Sequence, residues 1–439
     1  MSLQESTTSK FARWVFAKTL LLTGEIEMKK TLAAAAVLGA FAGSALAADV
    51  QLYGIVDTGL AYTHLDSDQP GVDATDSFGM ESGQQSGSRF GLKGTEELGN
   101  GLKVGFILEN GFSSDTGADK SVFFDRESSL FIEGGFGKLA LGRMGSINGT
   151  QSSWSKIGMI SAFGTSFGSY SAQAGNSFSL AGQWDNMIAY ETPDFAGFKV
   201  FAQYGMGNNS PDPLADGYSA VENESSSDRY WAIGATYMNG PAAVYFAVDS
   251  INYRSWGNQV DNQGRQANQD LDDSLTVTLG GSWDFNVAKV FFGGQYFDEV
   301  RLSSISGVAN AVYGDLEFSD VYPADFYEGS TFGNFFKLKG YSLSLSTSVP
   351  LAGGNLLAGV SYLDSDFADS HEKVSEIKDA TLERYIVSLG YTYNLSKRTN
   401  LYGVASWMQD SVEGIKFDGA ELSSDPSVYT FMIGLRHTF

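Results

Sequence analysis

The chain of 439 residues contains no cysteine, only eight prolines and only three histidines. Without cysteine it forms neither disulfides nor thiolate metal sites, and it carries no lipid on an N-terminal cysteine. Beyond residue 47 no apolar stretch reaches 18 residues, which excludes a membrane-spanning helix there. Glycine (52 residues) and aromatic residues (13%) are abundant. The composition therefore excludes helical membrane proteins and lipoproteins, but it leaves membrane-spanning β-structure open.

The N-terminal region has the pattern of a secretory signal. A basic start at Met28, Lys29 and Lys30 precedes an apolar run at 32–42, and a small-residue cleavage pattern follows at 45–47. We expect residues 28–47 to be the signal peptide and 48–439 the mature domain. Residues 1–27 are then either an over-extended start or part of an unusually long leader.

The mature segment is strongly acidic. It holds 23 Lys and Arg against 48 Asp and Glu, a net charge of −25. So negative a chain does not bind nucleic acid non-specifically, because phosphate and protein repel each other.

Apolar and polar residues alternate with a period of two from end to end. Tyr341, Leu343 and Leu345 alternate with Ser342 and Ser344, and the last eleven residues repeat this pattern up to Phe439. Side chains of a strand point to opposite faces in turn, so each such segment has one apolar and one polar face. The pattern is typical of strands that cross a membrane in a closed barrel, although a soluble β-sandwich also alternates.

Connections of two lengths separate these segments. Seven short turns lie at 99–101, 136–137, 193–197, 240–241, 286–287, 350–354 and 396–399, and all but the last contain Gly, Pro or Asn. Eight long connections lie near 66–85, 113–122, 145–185, 207–227, 256–270, 300–336, 365–380 and 410–425. Together they predict an all-β transmembrane barrel of 16 antiparallel strands, wide enough for an aqueous channel.

The third long connection, residues 145–185, differs from the others. It is rich in Ser, Gly and aromatic residues, and Lys156 is its only charge before Asp185. So apolar a loop is expected to fold into the barrel and narrow it, because solvent does not favour it. Packing on a neighbouring subunit and poor order are the alternatives.

Several dispersed motifs resemble the general, usually trimeric porins of Gram-negative bacteria, in their betaproteobacterial and neisserial branch. They cover the whole mature chain in order and lie at 50–57, 88–101, 141–143, 185–186, 190, 193–198 and 435–439. The resemblance implies an outer-membrane homotrimer with a water-filled pore and an inward third loop. It further implies contact with outer-membrane lipid and lipopolysaccharide, and a terminal Phe439 read by the barrel-assembly machinery.

In that family basic residues on the wall face the third loop at the narrowest point. Arg89 and Arg143 match two of these positions, and Arg126 resembles a third that is found in anion-selective members. Arg89 and Lys93 share a parity opposite to Phe90 and Leu92, which points both into the lumen. The expected constriction residues are Arg89, Lys93, Arg126, Arg143, Lys156 and Gln183, the last standing where relatives often carry a further Arg. An interfacial, snorkelling position is the alternative for Arg89 and Arg143.

These charges predict a weak preference for anions, because a narrow throat focuses the field of the charges that it contains. Inward carboxylates such as Asp57, Glu109 and Asp125 would act in the opposite sense. The acidic outer loops are expected to be solvated surface or to hold divalent cations that bridge lipopolysaccharide, and no metal site is assigned.

The expected function is passive diffusion of small hydrophilic solutes and ions, without catalysis or a cofactor. A substrate-selective porin for anionic nutrients is the first alternative. An outer-membrane barrel hydrolase is the remote one, since the three histidines lie in no recognisable catalytic motif.

Overall fold

The computed structural model describes residues 49–68, 73–119, 122–165, 167–168, 171, 180, 182–207, 222–223, 227–253, 272–301, 337–367, 378–415 and 421–439. The predicted leader segments 1–27 and 28–47 lie outside this part of the chain. So do most of the predicted connections at 207–227, 256–270, 300–336 and 365–380. The described residues fall into two contact units, of which one comprises Gln51–Lys93 with Glu97–Phe439 and the other comprises residues 49 and 50 with Gly94–Glu96.

Eighteen strands are found in the described residues, all paired antiparallel. Sixteen form the barrel wall, and two short ones, β2 and β17, extend the hairpins of the first and last long connections. Their bounds are β1 (Gln51–Asp66), β2 (Thr75–Ser82), β3 (Arg89–Gly99), β4 (Leu102–Gly111), β5 (Glu127–Gly134), β6 (Gly137–Gly145), β7 (Gln183–Glu191), β8 (Phe198–Gly205), β9 (Arg229–Asn239), β10 (Ala242–Asn252), β11 (Ser274–Asp284), β12 (Lys289–Arg301), β13 (Lys337–Leu351), β14 (Gly354–Phe367), β15 (Lys378–Asn394), β16 (Thr399–Ile415), β17 (Glu421–Ser424) and β18 (Ser427–Thr438).

The last strand closes the sheet onto the first. Strand β18 pairs with β16 on one edge and with β1 on the other, in a register from Ile55 opposite Thr438 to Asp66 opposite Ser427. Phe439 completes this seam, because its backbone N–H and C=O both bond Gly54, at 3.1 Å each. A closed sheet leaves no edge to be satisfied by lipid, and the predicted barrel of 16 strands is confirmed.

The alternation read from the sequence separates the outer from the inner face of the wall. Tyr341, Leu343 and Leu345 of β13 are 43%, 54% and 54% exposed, whereas Ser342 and Ser346 are buried inside. Apolar side chains thus face outward and hydroxyl groups face the lumen, as a strand exposed to lipid on one side requires.

All seven predicted short turns join neighbouring wall strands. At the turn between β11 and β12, Asn286 has a positive φ of 68°, and its N–H donates to Asp284 Oδ1 at 2.7 Å. Asn tolerates this left-handed conformation better than most residues. Strand β18 ends beside the turn between β15 and β16, where the Thr438 N–H donates to the Arg398 carbonyl at 2.8 Å.

The described interior contains one short helical element, a 3-10 turn at Ile157–Ile160 in the third loop. In the described part of the chain, no helix has the length and hydropathy needed to span a membrane. The third loop lies between β6 and β7, and apolar side chains that the structure describes in it, such as Trp154 and Phe163, lie inside the barrel and pack against the wall.

Candidate functional site

The third loop follows the inner wall and contacts segments of the barrel that lie far apart in the sequence. Its Ile147 N–H donates to Gln203 Oε1 of β8 at 2.8 Å, and its Ala162 N–H donates to Ser346 Oγ of β13 at 2.9 Å. Beyond these contacts, its Phe167 N–H donates to the Gln84 carbonyl, in the return from β2 to β3, at 2.6 Å. The loop is therefore bonded to the barrel at three points between Ile147 and Phe167.

A buried polar network holds the beginning of the third loop. Asp249 of β10 is fully buried and accepts hydrogen bonds from Asn148 Nδ2 at 2.8 Å and from Tyr230 OH at 3.0 Å. Thr276 donates to the same carboxylate, and Tyr245 OH donates to Asn148 Oδ1 at 2.5 Å. A carboxylate removed from water needs such donors, so Asp249 binds Asn148 and with it the loop.

Apolar contacts hold the rest of the loop. Trp154, Ile157 and Ile160 are 3% exposed or less and belong to a buried cluster with the inner wall of β5 to β10. Further along, the rings of Phe163 and Phe167 meet edge to face at 5.9 Å. These two rings pack on Leu357, Tyr402, Val404 and Met432 of the opposite wall. The expectation that the third loop folds inward is confirmed.

Between the loop and the wall of β1, β3, β4, β5 and β18 lies a cavity of about 1250 Å³. Its lining is rich in hydroxyl, amide and charged groups, which is the lining of a water-filled passage. The charged residues that line it are four basic and three acidic ones, namely Arg89, Lys93, Arg126, Lys156, Glu81, Glu109 and Glu127.

Glu109 of β4 lies at the centre of the charged wall. Its Oε1 is 2.6 Å from Arg126 Nε, and its Oε2 is 3.6 Å from Arg89 Nε. Tyr53 OH donates to Oε2 at 3.0 Å. Lys93 lies farther along β3, with its Nζ 5.1 Å from the centroid of the Tyr53 ring. Two of the predicted cations, Arg89 and Arg126, thus lie beside one carboxylate.

Arg126 also reaches across to the third loop. Its guanidinium NH1 donates to Gln151 Oε1 at 2.8 Å, and Gln183 Nε2 donates to the same oxygen at 3.0 Å. Arg126 therefore joins the wall to the loop, and Gln183 supports that contact without lining the cavity itself.

Glu127 faces the lumen at the start of β5 and is almost completely buried. Its carboxylate accepts hydrogen bonds from Ser129 Oγ at 2.8 Å and from the Ser153 N–H and Oγ, both at 3.0 Å. Sequence reasoning missed this carboxylate. Its parity with Ser129, opposite to lipid-facing Leu130, is the signal that would have placed it inside.

Lys156 is the cation that the third loop contributes. Its Nζ donates to the Ser153 carbonyl at 3.4 Å and lies 5.1 Å from the centroid of the Phe201 ring. Burial against the wall lowers the pKa of this ammonium, and the nearby Glu191 partly opposes that shift.

Arg143 lies apart from the other cations. It pairs with Ser128 on the face of outward Leu130 and Leu141, next to a bulge at Gly142 and Met144. Its NH1 is 2.5 Å from Asp185 Oδ1, and its Nε donates to the Asp125 carbonyl at 2.8 Å. It therefore fastens β6 to β7 and to the second connection, and it is not among the residues that line the described cavity.

Asp57 and Asp125 were considered above as inward charges. Both carboxylates accept hydrogen bonds from backbone N–H groups. Asp57 accepts from the N–H groups of Gln85 and Ser86 and from Tyr402 OH, at 2.6–2.9 Å. Asp125 Oδ1 accepts from the Gly111 N–H at 2.6 Å. Neither carboxylate is among the residues that line the cavity.

Comparison with known proteins agrees with this architecture. A family model described as Gram-negative porin matches residues 33–411. An outer membrane porin protein of Bordetella pertussis is 33% identical over 438 residues, covering 94% of this chain and all of that protein. Outer membrane porin protein 32 of Delftia acidovorans is 29% identical over 422 residues, with the same coverage of each chain. Among solved structures, the anion-selective porin from Comamonas acidovorans shares the fold with a TM-score of 0.58 and 24% identity, covering 89% of this chain and all of that one. The chain belongs to the Gram-negative porin family.

Proposed function

We propose that this outer-membrane porin passes small hydrophilic solutes and ions by passive diffusion through the cavity beside the third loop, without turnover or a cofactor. The observation that carries the proposal is the cavity of about 1250 Å³, with its charged and hydroxyl-rich lining, between a fixed loop and the barrel wall. Purified protein in planar bilayers is expected to form ohmic channels. Bilayers that stay impermeable to ions would contradict the proposal.

The throat prefers anions weakly. Four basic residues face three acidic ones in the lining, and the only charge that the described part of the third loop adds to it is Lys156. The field of these groups acts on ions in the narrowest part of the passage, whereas outer-mouth charges are screened over about 8 Å at physiological ionic strength. The described anion selectivity of the Comamonas structure agrees with this sign. A reversal potential in a KCl gradient that shows strong cation preference would refute it.

Arg89, Lys93, Arg126 and Lys156 act as the cations of the constriction. Arg143 and Gln183 act on it indirectly, since Arg143 joins β6 to β7 and Gln183 bonds the Gln151 amide that also holds Arg126. The charge-neutral variant Arg143→Gln is expected to change selectivity less than Arg89→Gln, with both measured as reversal potentials in the same gradient.

The dependence of conductance or flux on solute concentration distinguishes passive diffusion from a substrate-selective channel. Conductance or solute flux that rises in proportion to concentration supports diffusion. Saturation with phosphate or a small carboxylate would favour a binding ladder of wall cations for anionic nutrients.

The catalytic alternative finds little support in the described residues. His64 bonds Asp76 of the outer hairpin at 2.8 Å, and His437 bonds Thr399 beside a short turn. His64 of β1 is the cross-strand partner of Tyr429, and His437 of β18 is the partner of Val56, so the two imidazoles lie near different ends of β1. The third, His371, lies outside the described residues.

The working assembly is a homotrimer in outer-membrane lipid and lipopolysaccharide, delivered through a signal peptide cleaved after Ala47 and inserted by the barrel-assembly machinery. Phe78, Met80 and Phe123 support a subunit contact, being 72%, 56% and 62% exposed near the first and second connections. Chemical cross-linking of the native protein tests the subunit count, and N-terminal sequencing of the mature protein tests the cleavage site.

A further inference from the structure

Two glycines of neighbouring wall strands form a notch in the inner face of the barrel. Gly280 of β11 and Gly293 of β12 are direct cross-strand partners. Their lumen-facing neighbours have full side chains, such as Thr278 and Gln295, which bond each other at 2.9 Å. The glycine pair therefore interrupts a continuous inner layer of side chains.

The side chain of Ile160, at the end of the 3-10 turn in the third loop, fills this notch. A Cβ added to Gly293 would lie 2.8 Å from Ile160 Cδ1, and one added to Gly280 would lie 2.6 Å from Ile160 Cγ2. Carbon atoms pack without repulsion at about 3.5–4.0 Å, so neither position admits even alanine while Ile160 keeps its place. Ile160 is 3% exposed, which shows how completely the notch encloses it.

The same turn presents its other side to the passage. Ile157, Gly158 and Met159 line the cavity, whereas Ile160 does not. The depth to which Ile160 enters the glycine notch thus fixes the distance between the turn and the wall of β11 and β12. Because the turn forms one side of the cavity, that distance also fixes the width left for solutes.

We propose that the Gly280–Gly293 notch, through Ile160, sets the calibre of the channel and therefore its size selectivity. The inference rests on the proposed function, since it assumes that the cavity is the route of permeation. It assigns a positioning role to two glycines that contact no solute and carry no charge.

The size of the expected change in conductance follows from the packing distances. An alanine at 293 requires Ile160 Cδ1 to move by about 1 Å to restore an ordinary carbon contact from 2.8 Å, and in the proposed arrangement the turn moves with it. The cavity of about 1250 Å³ has a linear dimension of about 11 Å, so this shift removes roughly a tenth of its width. Single-channel conductance is expected to fall by roughly a tenth or more, and the size cut-off for neutral sugars to fall with it.

The test compares Gly293→Ala with Gly294→Ala in planar bilayers and in liposome swelling. Gly294 is the next residue on the same strand, faces outward, and offers an added Cβ its nearest contact at 3.4 Å, to a Leu343 methyl. Gly294→Ala is expected to keep the wild-type conductance. A Cβ at 293 would also meet Ser344 Oγ at 2.8 Å, but Gly293 is preferred to Gly280, because that hydroxyl can rotate away, whereas a Cβ at 280 would meet the Phe292 carbonyl oxygen, a backbone atom, at 2.5 Å.

A second set of variants, made in the Ile160→Ala background, distinguishes a displacement of Ile160 from a general effect of Gly293→Ala on the barrel. In Ile160→Ala the side chain that fills the notch is gone, so adding Gly293→Ala is expected to change conductance no further. Ile160→Phe enlarges the same side chain without altering a wall strand, and it is expected to lower conductance as Gly293→Ala does. This variant keeps the test valid should Gly293→Ala not assemble.

Equal conductance of Gly293→Ala and wild type would overturn the notch proposal. So would a loss of conductance from Gly293→Ala that is as large in the Ile160→Ala background as in the wild-type background. The sign of the ion selectivity is expected to stay the same throughout, since no charge is added or removed. A wild-type protein that conducts no ions would instead contradict the proposed function, so the two failures are distinguishable.

Discussion

Removing the charge of Glu109 is the most direct perturbation of the throat's electrostatics. The variant Glu109→Gln keeps the size of the side chain and an acceptor for Arg126 Nε, which lies 2.6 Å away, and Arg126 also keeps its bond to Gln151. The lining then has four basic and two acidic residues instead of four and three. Its net charge rises by one unit at the point where Arg89 and Arg126 meet.

The size of the effect follows from Coulomb's law. A unit charge about 6 Å from a permeating ion contributes about 0.7 kcal/mol at the dielectric constant of water. That energy is about half a decade in a Boltzmann factor, gained by an anion and lost by a cation. The anion-to-cation permeability ratio is therefore expected to rise up to about tenfold at low salt, and less as screening increases.

The assay is the reversal potential of channels in a KCl gradient. Glu97→Gln is the matched control, because Glu97 forms a largely exposed pair with Lys103, 2.9 Å away, and does not line the cavity. Glu97→Gln is expected to leave the reversal potential unchanged. An unchanged value in Glu109→Gln, or a shift toward cation preference, would refute the placement of the permeation path along this wall.

Three further outcomes are expected. Raising the pH from neutral is expected to weaken the anion preference in the alkaline range, because burial lowers the pKa of Lys156 and lets it lose its charge at a lower pH than an exposed lysine would; in Lys156→Gln this step in the reversal potential should be missing. Asn148→Ala removes a donor from buried Asp249 and is expected to loosen the third loop at a cost of about 1–3 kcal/mol, seen as increased open-channel noise, whereas Lys103→Ala should leave the noise unchanged. Asp410→Ala leaves the fully buried Arg384 without its bidentate partner and is expected to destabilise the barrel by about 3–5 kcal/mol in urea, against about 1 kcal/mol or less for Glu97→Ala.

The barrel was predictable because lipid imposes a rule that acts on every second residue. Wherever a strand such as β13 or β18 crosses the membrane, an outward polar group would have no hydrogen-bond partner in lipid. Apolar residues therefore occupy every second position, and this alternation is visible in the sequence. The strands also run farther than the acidic composition suggested, since β16 continues to Ile415, beyond the predicted loop start at 410. Asp410 stays in the strand because it faces inward and pairs with Arg384, a contact that composition does not reveal.

The third loop was predictable as an internal segment but not in its course. Its aromatic content indicated a buried position, which the contacts of Trp154, Phe163 and Phe167 confirm. Which strands it meets depends on tertiary complementarity, such as a Gly280–Gly293 notch that is visible only when two strands are set in register.

The alternation of side chains along a strand determines the side of the wall for some of the basic residues and not for others. Arg89 and Lys93 lie on a regular strand, so their even separation placed both on the lumen side, and both line the cavity. Arg143 lies beside a bulge, where the register between β6 and β7 shifts and counting by two no longer determines the side of the wall. Arg126 precedes β5 and has no strand parity at all, and its position follows from Glu109 and Gln151. The position of Arg126 therefore depends on the carboxylate and the loop amide that hold it, and those partners come from other segments of the chain.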